Sequence, residues 1–181
     1  MNTFIALLRG INVGGRNKLP MRELTAMLEG LGLENIQTYI QSGNVVFQTN
    51  RVDLAELAAE IGTAVTQSHG FTPKVMLLDG RQLKEAVAAN PFPQGESEPK
   101  TLHFYFLETV PEAPDLAALE TLKTNRERFQ LISSVFYLYA PDGIGRSRLA
   151  EKVERALGVS TTARNWRTVS QIVTMVEASS A

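Results

Sequence analysis

The sequence predicts an α+β fold built from two similar halves in tandem. Its 181 residues suit two units of roughly 80–90 residues each. Up to Leu78, the strand and helix patterns follow the order β-α-β-β-α-β, which is that of the ferredoxin-like unit. A Pro-, Gly- and Ser-rich stretch follows, and much of the order then repeats. We therefore predict ferredoxin-like halves at 1–90 and 100–181, joined by an exposed linker at 91–99, with the second half altered at its C-terminus.

The first elements are a buried strand and an amphipathic helix. The apolar run Thr3–Leu8 is too short for a helix and predicts a strand. A glycine-rich loop follows, and Pro20 suits the first turn of a helix. Apolar residues then recur with the helical period until Gly32, which predicts the end of that helix.

A hairpin is predicted next. Ile36 and Ile40 have the spacing of one face of a short strand, and the partner strand begins at Val45. Between them, Gly43 and Asn44 can fill a type II′ turn, so one of the two should have a positive φ.

The first half closes with a helix, a strand and a short helix. Asp53 and Glu56 form a capping box, and Gly70 is a typical helix end. Lys74–Leu78 predicts a strand. Asp79 then begins a short helix, which ends before Pro91.

The second half repeats this order only in part. Leu102–Leu107 predicts a strand, and Asp115 caps the helix after it. Two paired strands follow at Arg128–Ile132 and Val135–Tyr139. Ser147 begins a helix that Gly158 ends. A last helix is predicted from about Asn165, so a helical pattern stands where the sixth element would be a strand.

Composition excludes several classes of function. The chain has no cysteine, which rules out disulfides, thiolate nucleophiles and Cys-ligated zinc. Its two histidines have no metal-ligand spacing, so we predict neither a metal nor a cofactor. No apolar run reaches the roughly 20 residues of a membrane span, and no signal peptide is recognised. We expect a cytoplasmic protein without a membrane partner. The oligomeric state is left open.

The first candidate cluster is the loop Arg9–Lys18. Gly10 and Gly15 have the spacing of a phosphate-binding loop, but Arg16 and Asn17 replace its Lys and Ser or Thr. The loop could still form an anion-binding nest of backbone N–H groups, with charge added by the basic side chains. Alternatively, it is a tight loop that needs a positive φ at Gly14 or Gly15.

Two further clusters lie in the second half. Gly143–Arg148 precedes a predicted helix, where Arg146 and Ser147 could bind an anion or Ser147 could simply be the N-cap. In Thr161–Thr168, Arg164 could hold a carboxylate or phosphate. Trp166 falls on an apolar stripe, which favours a core position over a base-stacking role. In the strand after Gly43, the positions where an RNA-recognition module has stacking aromatic residues are largely aliphatic or amide, which weakens that alternative.

Three segments resemble a known family. LLRGINVGGRNKLPM (7–21), TYIQSGNVVF (38–47) and TARNWRTV (162–169) are similar to the signatures of the bacterial domain-of-unknown-function family numbered sixteen ninety-seven. The resemblance implies an α+β arrangement of ferredoxin-like halves and implies no activity. The candidate ligand-binding residues come from these segments and from the Gly143–Arg148 cluster, and they are Arg9, Gly10, Asn12, Gly14, Gly15, Asn17, Lys18, Ser42, Asn44, Arg146, Ser147, Arg164 and Asn165.

Three functional hypotheses follow. The first is a module that binds an anionic ligand, either a phosphorylated metabolite or a nucleic-acid backbone, because arginines, amides and glycines dominate the three clusters. In this hypothesis Arg9, Asn12 and Asn17 share a site with Arg164 and Asn165. The second is a structural or protein-interaction domain in which these residues only fix turns and caps. The third is an enzyme acting on a phosphorylated substrate.

Overall fold

The structure is a computed structural model that describes residues 1–179. Its secondary structure is mixed, with two four-stranded antiparallel sheets and six α-helices in the described chain. Contacts divide the chain into two compact units. The first comprises Met1–Glu85 with the chain from Gln171, and the second comprises Ala86–Ser170. The predicted α+β class is thereby confirmed, while the predicted domain boundaries stay a prediction.

The first unit contains one of the sheets. Its elements in chain order are β1 (Asn2–Arg9), α1 (Met21–Gly30), β2 (Glu34–Tyr39), β3 (Asn44–Thr49), α2 (Leu54–His69), β4 (Lys74–Asp79) and the start of α3 (Gly80–Ala88). The strands lie in the order β2-β3-β1-β4. Phe4, Ala6 and Leu8 alternate along one face of β1 and pack in a core with residues of α1 and α2.

The second unit repeats this strand arrangement. Its elements are β5 (Leu102–Leu107), α4 (Leu116–Leu122), β6 (Arg128–Ile132), β7 (Val135–Tyr139), α5 (Val153–Leu157), β8 (Thr161–Asn165) and the start of α6 (Trp166–Ser179). The strands lie in the order β6-β7-β5-β8. Tyr105, Phe136 and Leu138 belong to a core that also contains residues of α4 and α5.

The sixth element of the second half is a strand, so the predicted helical pattern at that position is wrong. Thr161–Asn165 pairs with β5 along its whole length, from Leu107↔Thr161 to His103↔Asn165. Five residues are too few to show a strand period, and the stronger apolar period of α6 begins immediately after them. The second half is therefore not truncated at this point.

Two local predictions also need correction. Ser147 does not begin an α-helix, because short 3₁₀ helices occupy Ile144–Arg146 and Ala150–Lys152 and α5 starts only at Val153. The hairpin loop has four residues, 40–43, rather than a Gly43–Asn44 turn. The predicted positive φ is confirmed at Gly43, at 74°, whereas Asn44 is the first residue of β3.

The predicted linker contains a 3₁₀ helix at Pro93–Glu96. Most of its residues are exposed, but Gly95 is buried, and a Cβ there would lie 2.8 Å from Leu102 Cβ. Phe92 stacks on Tyr139 with ring centroids 6.3 Å apart. The stretch is therefore packed within the second unit, Ala86–Ser170.

Candidate functional site

The first cluster lies where β1 ends, and it contains a tight turn. Gly14 and Gly15 both have positive φ, at 57° and 76°, which are the signs found in a type I′ turn. The Arg16 N–H donates to the Val13 carbonyl at 3.0 Å across this turn. The segment is thus a small hairpin with an exposed tip, and the predicted need for positive φ at these glycines is confirmed.

Two asparagine side chains hold this loop in shape. The Asn12 amide donates to the carbonyls of Leu19 and Gln41, both at 2.8 Å, and its Oδ1 accepts from the Leu19 N–H at 2.8 Å. Asn17 donates to the Gly10 carbonyl at 2.7 Å. Both residues have φ near 50°, which asparagine tolerates better than most residues. Their amides are therefore engaged by backbone groups.

The β2–β3 loop is held against the end of β1. The Leu8 N–H donates to the Gly43 carbonyl at 2.8 Å. A Cβ at position 43 would lie 2.7 Å from Leu8 Cβ, so only glycine fits without displacement. Asn44 is fully buried and donates to the Tyr39 carbonyl at 3.0 Å and to Ser42 Oγ at 2.9 Å. Residues 10–18 and 40–43, which we call the loop platform, are thereby locked together.

Cationic side chains lie on this platform and beside it. Arg16 and Lys18 are exposed, and within residues 1–179 neither forms an ion pair or a side-chain hydrogen bond. Arg9, also exposed, lies directly opposite Lys74 in the β1–β4 ladder. The platform therefore carries a local positive field on a chain of net charge −1.

The second cluster has a local structural role. Ser147 is buried, and its Oγ accepts from the Ala150 N–H at 3.0 Å, which closes the turn before the second 3₁₀ helix. Arg146 is exposed at the end of the first 3₁₀ helix. The predicted N-cap role of Ser147 is therefore wrong, because the N-cap of the 3₁₀ helix at Ala150–Lys152 is Leu149 and that of α5 is Lys152.

The third cluster lies on β8 and at the start of α6. Asn165 Oδ1 accepts from the Thr168 N–H at 3.1 Å and caps α6. The partly buried Arg164 donates to the Ala163 carbonyl at 2.8 Å, and desolvation lowers its pKa to about 10. Trp166 packs on Phe104 with ring centroids 5.7 Å apart, in agreement with a packing role.

The candidate residues thus divide between the two units. The structure brings together Arg9, Asn12, Asn17 and the β2–β3 loop in the first unit, while Arg146, Ser147, Arg164 and Asn165 belong to the second. A site shared by Arg9 and Arg164 stays a prediction.

Sequence reasoning missed three residues near the platform. Lys74 joins Arg9 only through the β1–β4 register. Val13 and Ile40 are large apolar residues that remain 66% and 51% exposed. The predicted strand placed Ile40 on the same face as Ile36, but β2 ends at Tyr39 and Ile40 lies in the loop. A glycine pair beside Val13 was the one available signal of an exposed tip.

A cavity of about 680 Å³ occupies the other end of the first sheet. Asn2, Gln48, Arg81 and Lys84 are among the residues that line it. None of the candidate ligand-binding residues belongs to its lining.

Residues 1–179 contain neither a metal-binding cluster nor a membrane-spanning helix. No cluster of three or more histidines and carboxylates there could hold a metal ion. Among the same residues, no helix combines the length and hydropathy that a membrane crossing requires.

Comparison with known proteins agrees with this α+β architecture. Residues 1–137 match the family model described as "Protein of unknown function (DUF1697)", and the chain belongs to this family. The fold is similar to that of the conserved bacterial protein SP0830 from Streptococcus pneumoniae, with a TM-score of 0.71 and 26% sequence identity. That similarity covers 97% of this chain and 98% of SP0830. The sequence has no significant match among curated proteins.

Proposed function

We propose that this protein is a binding module that uses the loop platform to hold an anionic ligand, either a phosphorylated metabolite or a nucleic-acid backbone. One observation carries the proposal. Backbone groups engage the amides of Asn12, Asn17 and Asn44, whereas Arg16 and Lys18 stay exposed and without ion pairs in the described chain. The amides build the platform, and the cations face outward from it.

Two physical arguments support this function. A loop already held in one conformation loses little conformational entropy when it binds. Arg9 and Lys74, which lie opposite each other in the β1–β4 ladder, also add positive charge beside the loops, and this charge favours an anion over a neutral ligand. We further infer that both units are ferredoxin-like, because each has the element order βαββαβ and places its first strand at the centre of the sheet.

A second candidate function is a protein-interaction domain. It is favoured by the exposed Val13 and Ile40 and by the turn and cap roles of the signature residues. Support for an enzyme is weaker. The hydroxyls of Ser42 and Ser147 accept hydrogen bonds from Asn44 and Ala150, so each already has a local structural role.

The test is binding of labelled single-stranded oligonucleotides by fluorescence anisotropy, with inorganic phosphate and nucleoside monophosphates as competitors. Two phosphate contacts on a single strand predict a slope of about −1.4 for log K against log salt. The double variant Arg16→Ala/Lys18→Ala should lose about tenfold or more in affinity, because two charge-assisted contacts are removed. Competition by free phosphate would identify a small-ligand site, and its absence would favour a polymer backbone.

The matched control is Lys100→Ala/Arg155→Ala, which removes one exposed lysine and one exposed arginine from the second unit, outside the three candidate clusters. It should bind as the wild type does. Equal losses in both double variants would show only non-specific attraction. Absence of salt-dependent binding by the wild type to every anion would reject the proposed function.

A further inference from the structure

Ile40 has a backbone conformation that its side chain disfavours. Its φ is 49°, in the left-handed region. A β-branched residue is a genuine outlier there, because its Cβ substituents crowd the backbone. Stability alone would favour glycine or asparagine at this position. The isoleucine side chain is also 51% exposed, so burial compensates only part of this strain.

The surrounding contacts keep Ile40 in this conformation. On one side, the Tyr39 carbonyl accepts from the buried Asn44 amide at 3.0 Å. On the other, the Gln41 carbonyl accepts from Asn12 at 2.8 Å. Asn12 directly precedes Val13, which is 66% exposed. The same hydrogen bond therefore couples the two loops that carry the exposed aliphatic side chains.

Charge and apolar surface thus occur on one rigid platform. Arg16 pairs with Val13 across the glycine turn, and Lys18 lies two residues further along the loop. Backbone strain retained at an exposed position points to a functional use of the side chain. Phosphate and sugar-phosphate groups are polar and gain nothing from two aliphatic contacts. Bases stack best on aromatic side chains, and residues 10–18 and 40–43 contain none.

We infer that the loop platform docks an acidic segment of a partner protein in which apolar side chains alternate with carboxylates. The carboxylates pair with Arg16 and Lys18, and the apolar side chains cover Val13 and Ile40. This inference rests on the anion-binding part of the proposed function, and it replaces the phosphate ligands named there with the carboxylates of a protein segment. Charge complementarity selects an acidic partner, and the exposed aliphatic groups select a protein over a nucleic acid.

The first experiment compares two peptides of equal length and equal negative charge. One contains only aspartate and serine, and in the other leucine replaces the serines. Binding is measured by isothermal titration calorimetry at low salt. The leucine peptide should bind about tenfold more tightly, because it also covers the apolar part of the platform. An oligonucleotide of the same charge should bind no better than the serine peptide.

The second experiment uses the variant Ile40→Asn. Asparagine accepts a positive φ, so the variant should be more stable, with the melting temperature raised by about 2–4 °C. It should nevertheless lose the preference for the leucine peptide, and Val13→Ser should reduce that preference too. Weaker binding by a more stable variant cannot come from unfolding. Ser133→Asn is the matched control, because Ser133 is an exposed residue with φ of 52° in the second unit.

The outcomes separate the two proposals. Equal binding of both peptides, abolished by Arg16→Ala/Lys18→Ala, would overturn the protein-partner inference and leave the anion-binding function standing. An Ile40→Asn variant that keeps the peptide preference would also overturn the inference. Failure of every anion to bind would reject both proposals.

Discussion

At the scale of single residues, the amides and glycines of the signature specify geometry. Asn12 joins two loops that are 29 positions apart through its bond to the Gln41 carbonyl. Gly43 lets the hairpin loop approach β1 at van der Waals distance. These residue types would also suit a ligand site, since they offer hydrogen bonds and free N–H groups. Their partners in the fold show that they bind the chain's own backbone.

Replacement of Gly43 by alanine should be strongly destabilising. Its φ is 74°, and the new Cβ would lie 2.7 Å from Leu8 Cβ and 2.8 Å from Ile11 Cδ1. Strain and overpacking together should lower the free energy of unfolding by about 2–4 kcal/mol, as measured by urea denaturation.

The control is Gly70→Ala. Gly70 has a similar φ of 73°, but no heavy atom lies within 4 Å of the position that the new Cβ would take. The effect of this substitution should be about 1 kcal/mol, from backbone strain alone. Equal effects at positions 43 and 70 would show that close packing against Leu8 contributes nothing.

At the scale of elements, the start of a helix depends on neighbouring residues, whereas a strand depends on a partner that is distant in sequence. Asp53 and Asp115 cap α2 and α4 by accepting from the N–H three residues on, and Asp79 forms a reciprocal pair with Gln82 at the start of α3. Each cap depends on a few adjacent residues. Strand β8 depends instead on β5, a segment more than fifty positions earlier in the chain.

The cap at the start of α6 can be tested directly. Asn165→Ala removes the acceptor for the Thr168 N–H and should lower the free energy of unfolding by about 1 kcal/mol in urea denaturation. Asn125→Ala is the control, because Asn125 lies exposed in the loop before β6, and its effect should stay within about 0.5 kcal/mol. If Asn165→Ala left the free energy of unfolding unchanged, the start of α6 would need no side-chain cap.

At the scale of the whole molecule, a buried histidine makes the free energy of unfolding depend on pH. His103 is 7% exposed in β5, and its Nδ1 has no hydrogen-bond partner among residues 1–179. Burial lowers its pKa from 6.5 to about 4, against a smaller opposing effect of a backbone hydrogen bond at Thr101. The folded state therefore keeps this imidazole neutral at a pH where the unfolded chain protonates it.

The stability of the protein should consequently fall as the pH drops from about 6.5 to about 4. The folded pKa lies below the unfolded one, so the unfolded state takes up the proton first and is favoured by acid. The loss from this residue is about 3 kcal/mol at the end of that range. His103→Gln should flatten the acid limb of a plot of unfolding free energy against pH. The control is His69→Gln, which should keep the loss of stability in acid that His103 causes. Identical plots for the wild type and His103→Gln would contradict the prediction.

Much of the architecture was predictable from local patterns. The apolar run that predicts β1 and the capping residues of α2 and α4 are local signals, each contained within a few positions of the chain. The positive φ at Gly14 and Gly15 follows in the same way from the conformational freedom of glycine. Family membership was also recognisable, because the signature segments are contiguous in the chain.

The candidate site was only partly predictable, for a physical reason. Sequence alone located the signature loops and their cations, since residue identity and short spacing determine turns and charge. Tertiary structure decided how those residues are used. It engaged Asn12 and Asn17 with backbone carbonyls, placed Lys74 opposite Arg9, and left Ile40 exposed in a left-handed conformation. These outcomes depend on contacts between segments distant in sequence, and no local pattern encodes such contacts.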